Sequence, residues 1–266
     1  MITINIDPML LHAGHFGLRW YGLIVATAMI VGVWMALREA KRKGLSDYQF
    51  ADAIPWVIVG GLIGARLFHV IDHWPDEYAA VPVRALYVWE GGLAIWGGVI
   101  GGLTALALFA WRRALPLAVL LDTAVPGLVL AQAIGRIACV ITGDSVGKPT
   151  AGPFGLAYSN PGAMAPQLGV YYTPTPIYEI LMNLTIFAIL WRLRKRSLPD
   201  GALFLVYLVL YSSGRFVITF CSAYKIVALG FNQAQLISLA GLAVGLPALM
   251  VLLWRTRPAR TLAGGS

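Results

Sequence analysis

Arg19, Arg66, Arg136 and Arg215 stand within or at the ends of long apolar runs. An arginine at the centre of a bilayer costs about 3 kcal/mol or more unless it is paired or hydrated. Four of them therefore imply a polar cavity. Glu90, Asp144 and Glu179 are the acids at the same ends of these runs, with Asp72 nearby and Tyr21, Tyr178, Thr142 and Thr219 as polar partners. Positive charge is in excess, so the expected ligand is an anion, and the planar fork of a guanidinium suits phosphate. A lone arginine near a helix end can simply extend to the headgroups. Arg136 and Arg215 resist that explanation, because more apolar residues follow each.

The elements that position these charges follow from composition. Of 266 residues, 59% are hydrophobic and 12% are charged, about half the usual globular share, and mean hydropathy is +0.74. A spanning helix needs about 20 mostly apolar residues. Seven stretches meet that length, over 17–37, 51–71, 93–111, 117–142, 175–191, 202–221 and 231–254. Runs such as LAIWGGVIGGLTALALFAW lack the alternation of a β-barrel. The expectation is an all-α, polytopic membrane protein of seven transmembrane helices, forming one domain over residues 1–266, with its largest loops at 72–92 and 143–174.

Basic clusters at Arg38/Lys41/Arg42/Lys43, Arg112/Arg113, Arg192/Arg194/Lys195/Arg196 and Arg255/Arg257/Arg260 follow helices one, three, five and seven. With seven spans they share one side, and the positive-inside rule makes it cytoplasmic. The N-terminus is then outside and the C-terminus inside. The net charge of +8 reflects this topology, not a nucleic-acid stripe, and no nucleic-acid partner is expected. The first 18 residues hold no Lys or Arg, so no secretory leader is expected. Cys139 and Cys221 show no disulfide or zinc-type spacing.

In this topology Arg19, Arg66, Arg136 and Arg215 lie at the outer end of the membrane, and an anionic phospholipid of the outer leaflet is the simplest phosphate-bearing ligand. The stretch IGRIACVITGDSVGKPT, residues 134–150, is then the outer end of a helix turning into a polar loop. Arg136 would hold phosphate there, Asp144 would hold an arginine or position the ligand, and Gly143 and Gly147 would let the loop turn, with Pro149 stopping the helix. Gly97/Gly101 and Gly98/Gly102 have the spacing of close helix contacts. Gly91–Gly92 follow Glu90, where a loop could approach a ligand through its backbone. His69 and His73 share a helix face, but further metal ligands are lacking, so neither metal nor cofactor is expected.

LRWYG, GARLFHV, WEGGLAIWGGVIGG, GRIACVITGDSVGKPT, PTPIYE, GRFVITF and AQLISLAGL come in that order. The set resembles the prolipoprotein diacylglyceryl transferase family of bacterial plasma membranes over nearly the whole chain. The resemblance implies transfer of the diacylglyceryl group of phosphatidylglycerol to the lipobox cysteine thiol of a preprolipoprotein, with glycerol phosphate leaving. It also implies Arg136, Arg215, Tyr21, Glu90 and Asp144 as catalytic groups. Arg136, Arg66, Arg19, Gly147, Tyr178 and Glu179 would bind the headgroup. A free thiol has a pKa near 8.5, so an arginine field should favour the thiolate, and a carboxylate such as Glu90 or a water should take the proton.

Several positions depart from the family pattern. In the fourth helix, Gly-Arg-x-Gly-Asn-Phe-x-Asn-x-Glu-x-x-Gly is represented by Gly135, Arg136 and Gly147, with Asp144 at the Glu place and Cys139 and Thr142 at the two Asn places. Trp96 stands where many members have His. Thr219 stands at an acid position, and Ser222 at a second arginine. The competing readings are a homologue that binds anionic lipid without transfer and a small-solute transporter. A conduction path would place polar groups along its whole length, often with a site at mid-membrane.

The topology makes a direct prediction. Single cysteines placed at Lys41 and Lys195 should resist an impermeant thiol label in intact cells, and one at Ala163 should react. Outside labelling of the first two would overturn the orientation.

Overall fold

The computed structural model of the chain describes residues 1–13, 16–45, 50–79, 81–87 and 91–256. The protein is mostly helical, and seven of its helices are long and apolar enough to cross a membrane. They are α1 (Trp20–Arg42), α2 (Ala53–Asp72), α3 (Ile95–Arg112), α4 (Leu117–Thr142), α5 (Thr175–Leu193), α6 (Ala202–Ile218) and α7 (Gln233–Arg255). Each falls on an expected stretch. The clearest shift is at the N-terminus. There β3 (Phe16–Arg19) pairs antiparallel with β2 (Met9–Ala13), so α1 starts only at Trp20 and runs on through the basic segment to Arg42. The other strands are also short and lie outside the spans: β1 (Ile2–Ile4), β4 (Leu156–Tyr158), β5 (Ile226–Ala228) and β6 (Phe231–Asn232).

The chain divides into two compact units, residues 1–36 with 124 onward, and residues 37–123, with the boundaries inside α1 and α4. In the second unit, α2 and α3 meet through glycines. A Cβ on Gly64 would lie 2.8 Å from the Gly101 Cα, and one on Gly97 would lie 2.8 Å from the Gly64 carbonyl carbon. Nothing larger than hydrogen fits at this crossing, and such packing replaces the hydrophobic driving force that lipid cannot supply. Ion pairs join Lys43 to Asp122 at 3.9 Å and Arg113 to Asp52 at 3.3 Å.

In the first unit, α4, α5 and α6 build the core from Val125 and Val129, Ile186 and Leu190, and Leu203 and Tyr207. Gln132 and Tyr207 exchange hydrogen bonds of 2.9 and 3.1 Å, which satisfies both buried groups. Helix α7 opens on a capping box in which Asn232 and Gln235 bind each other's backbone N–H.

The 143–174 connection is ordered by its own small core of Val146, Leu156, Tyr158 and Tyr172. Here β4 pairs in parallel with β1, and Tyr158 Oη donates to the Val140 carbonyl at 2.8 Å, tying the loop to the end of α4. Burial pushes the Tyr158 phenol up to about 12, which keeps it a donor. Gly143 turns out of α4 with φ of +79°, the left-handed region that glycine enters without strain.

The glycine crossing can be tested by thermal unfolding in detergent. Gly101→Val should destabilise by about 1–3 kcal/mol through overpacking. Gly22→Ala should be neutral, because a Cβ at Gly22 meets nothing within 4 Å.

Candidate functional site

Glu179 organises the polar end of the first unit. The first turn of α5 is anchored where Thr175 Oγ1 donates to the Ser145 carbonyl at 2.8 Å. One turn later the Glu179 side chain, only 3% exposed, reaches between two helices. Its Oε2 forms an ion pair with Arg136 Nε of α4 at 2.5 Å, and its Oε1 accepts from Arg215 Nη1 of α6. One carboxylate thus holds two guanidinium groups and leaves this cluster with one positive charge in excess. Charge-assisted pairs of this kind are strong, and geometry decides whether they offset desolvation.

The rest of the cluster is polar and aromatic. Arg136 Nη1 approaches Cys139 Sγ at 3.7 Å. Arg215 Nη2 donates to Tyr224 Oη at 3.2 Å, with the guanidinium carbon 5.7 Å from that ring's centroid. Tyr21, exposed at the start of α1, lies within electrostatic range of Arg136, Cys139 and Asp144. Asp144 is half-buried just beyond α4. The arrangement can receive a phosphate group, because its arginines are oriented in advance and remain partly open, 24% for Arg136 and 13% for Arg215.

Other residues that the sequence places in the site have different surroundings. Arg19 is exposed at the end of β3. Tyr178 is half-buried beside Glu179 in the sequence and leaves α5 on a neighbouring face, as successive helical residues do. Gly147 is steric. Its N–H donates to the Thr173 carbonyl at 2.9 Å, and a Cβ would sit 2.5 Å from the Cys221 carbonyl oxygen. Glu90 lies outside the described residues, as do Arg257 and Arg260.

Arg66 lies in the second unit, in surroundings of another kind. The sequence puts it among the headgroup ligands. In the structure it is 7% exposed, and its guanidinium donates to the carbonyls of Arg84, Ala85, Gly91 and Gly92 at 2.6–3.1 Å. Four carbonyls of the α2–α3 connection thus take up donors of this guanidinium. Nearby, His69 and His73 stack at 4.2 Å, and His69 Nε2 lies 3.6 Å from Glu77.

Two residues of the cluster were not singled out from sequence. Tyr211, one turn before Arg215 on α6, lies within electrostatic range of Arg136, Glu179 and Arg215. Its spacing of four from Arg215 was the available signal. Tyr224 comes from the irregular segment after α6, and no periodicity marks it.

A family model described as prolipoprotein diacylglyceryl transferase matches residues 8–252. The phosphatidylglycerol–prolipoprotein diacylglyceryl transferase of Nostoc sp. is 37% identical over 259 residues, covering 94% of this chain and 91% of that protein. The protein of the same name from Halalkalibacterium halodurans is 36% identical over 262 residues, covering 97% and 89%. That from Dehalococcoides mccartyi is 36% identical over 248 residues, covering 93% and 94%.

The shared carboxylate predicts strong coupling. Glu179→Leu should cost about 3–5 kcal/mol, because two buried guanidinium groups lose their partner. Adding Arg215→Met should recover part of that loss. Thermal unfolding of the two single variants and the double variant checks this, and simple additivity would show that the pair is not coupled.

Proposed function

The chain belongs to the prolipoprotein diacylglyceryl transferase family, and from that premise we propose how its own residues carry out the first step of bacterial lipoprotein maturation. The enzyme transfers the diacylglyceryl group of phosphatidylglycerol to the lipobox cysteine of a preprolipoprotein. The observation that carries the mechanism is the pair Arg136 and Arg215, fixed by Glu179 in an apolar helix bundle.

The substrate thiol gives up its proton, and the thiolate sulfur forms a bond to the terminal glycerol carbon that bears the phosphate. The carbon–oxygen bond to phosphate breaks with its electron pair, and glycerol phosphate leaves. Negative charge grows on the departing phosphate, where Arg136 and Arg215 stand ready without reorganisation. Glu179 positions both guanidinium groups and keeps one net charge available. The same field stabilises the thiolate, and a carboxylate, Asp144 or Glu90, or a water takes the proton. Tyr21 and Asp144 flank the reacting groups, and Arg19, Gly147 and Tyr178 complete the headgroup environment. The protein is a multi-pass membrane protein, and the proposal places it in the bacterial plasma membrane with this site at the outer leaflet. Lipid from the bilayer and the lipobox segment of the substrate would meet there.

A mass-shift assay tests this with purified protein, phosphatidylglycerol and a lipobox peptide. The peptide should gain one diacylglyceryl group. Arg136→Ala and Arg215→Ala should each lower turnover by about 10²–10³-fold, the cost of removing one preorganised donor. Arg136→Lys should also be poor, because an ammonium cannot make the planar fork. Arg112→Ala, which loses a stacking contact with Trp56, should be near neutral. Equal losses at Arg112 and Arg136 would overturn the placement of the site.

A further inference from the structure

Asn183 Oδ1 is the one buried side-chain oxygen or nitrogen, among the described residues, without a hydrogen-bond partner. The residue is 1% exposed and lies on α5 one turn beyond Glu179. Its surroundings follow from helical spacing. On α4 the inward order is Arg136, Gln132, Val129. On α5 it is Glu179, Asn183, Ile186, and on α6 it is Arg215, Tyr211, Tyr207. The outermost residues of these three series are ion-paired. Gln132 and Tyr207 satisfy each other. Deeper still, Val129, Ile186 and Leu190 are apolar. Asn183 Oδ1 is left buried and unsatisfied between the ionic cluster and the core.

A buried amide oxygen without a partner loses its hydration with nothing in return. A leucine would fill this position without that cost, so packing does not explain an amide. Its position does suggest a ligand. Four residues of helix carry Asn183 about 6 Å inward from Glu179. In a glycerophospholipid the two ester carbonyls lie a few bonds inward from the phosphate, and they are acceptors only. An amide can present either its oxygen or its NH2 group to the same point, because the two ends have nearly the same shape.

We propose that Asn183 is the subsite for an ester carbonyl of the donor lipid, reached when Arg136 and Arg215 hold the phosphate. The Nδ2 group donates to the carbonyl oxygen, so the site recognises the diacylglyceryl group being transferred as well as the headgroup that leaves. This rests on the function proposed above and adds to it a preference for ester-linked over ether-linked chains. An ether oxygen is a weaker acceptor and lies within the chain, out of reach of a donor placed for a carbonyl.

The experiment compares phosphatidylglycerol with its dialkyl ether analogue in the lipobox-peptide assay. In the parent protein the ether lipid should have a KM roughly three- to tenfold higher, the equivalent of about one neutral hydrogen bond. Asn183→Leu should raise KM for the ester lipid by the same factor and leave KM for the ether lipid unchanged. It should also leave kcat nearly unchanged and the unfolding temperature no lower. Retained ester preference in Asn183→Leu, an equal loss on both lipids, or a clear fall in unfolding temperature would each overturn the subsite and assign the amide a structural role. Asn183→Ala provides the same comparison if the leucine variant does not fold. A parent that transfers from the ester lipid without preferring it overturns only the subsite. A parent that transfers from neither lipid overturns the proposed function and the subsite with it.

Discussion

The fork of Glu179 between Arg136 and Arg215 is the constraint on which the rest of the site depends. Three charges from α4, α5 and α6 meet in a segment that would otherwise be apolar. None can be withdrawn from water alone without a large penalty, so the register of the three helices is tied to the pairing. Below it, Val125, Val129, Ile186, Leu190, Leu203 and Tyr207 pack the same three helices together. Beyond it, Thr175 binds the Ser145 carbonyl, and Tyr158 binds the Val140 carbonyl. The apolar core and the loop scaffold hold the helix ends still, and the ion pairs use that rigidity to fix the arginine donors that the proposed mechanism directs at phosphate. Preorganisation of this kind is the main contribution a protein can make when the chemistry needs neither metal nor redox group.

The contrast with Arg66 shows how one residue type serves two ends. Arg66 donates to the carbonyls of residues 84, 85, 91 and 92, where the chain leaves α2 and returns to α3. Gly91 and Gly92 have φ of +92° and +70°, and a Cβ at Gly92 would lie 2.7 Å from Arg66 Nη1. The glycines are needed so that the backbone can turn toward the guanidinium. An arginine with four of its five N–H donors on carbonyls keeps its charge but has little left to offer a phosphate. An arginine paired with a carboxylate on one edge keeps other donors for a ligand.

Much of this was legible in the sequence. The seven spans follow from apolar runs, and the gathering of Arg136, Arg215 and an acid at one end follows in outline from the scarcity of charge inside those runs, although the sequence offered Asp144 as the partner of an arginine and the structure pairs both arginines with Glu179. Sequence reports depth along a helix better than rotation about it. Arg66 therefore looked equivalent to Arg136, although one faces a loop and the other a carboxylate. The same limit hid Tyr211 and Asn183, whose importance depends on which neighbouring helix they face. The short strands escaped because two to five residues carry little periodicity. β3 moves the start of the first helix to Trp20 for that reason, pairing residues that read as part of an apolar run.

The departures from the family pattern make electrostatic sense in pairs. The resemblance places an acid at position 219 and an arginine at 222, where this chain has Thr219 and Ser222. Both charges are lost together, so the balance of the site is unchanged, with the excess still supplied by Arg136 and Arg215 against Glu179. The replacements also satisfy themselves locally. Thr219 Oγ1 donates to the Arg215 carbonyl at 2.5 Å, and Thr142 Oγ1, at one of the Asn places, donates to the Ala138 carbonyl at 2.9 Å. Ser222 forms a backbone bridge to Gly147. Neither threonine hydroxyl competes for the guanidinium groups. Cys139, at the other Asn place, touches Arg136 only through a soft sulfur contact, a weak acceptor compared with an amide oxygen. Fewer groups surround the arginines than the family pattern supplies, and the demands on Glu179 as their common partner are correspondingly greater.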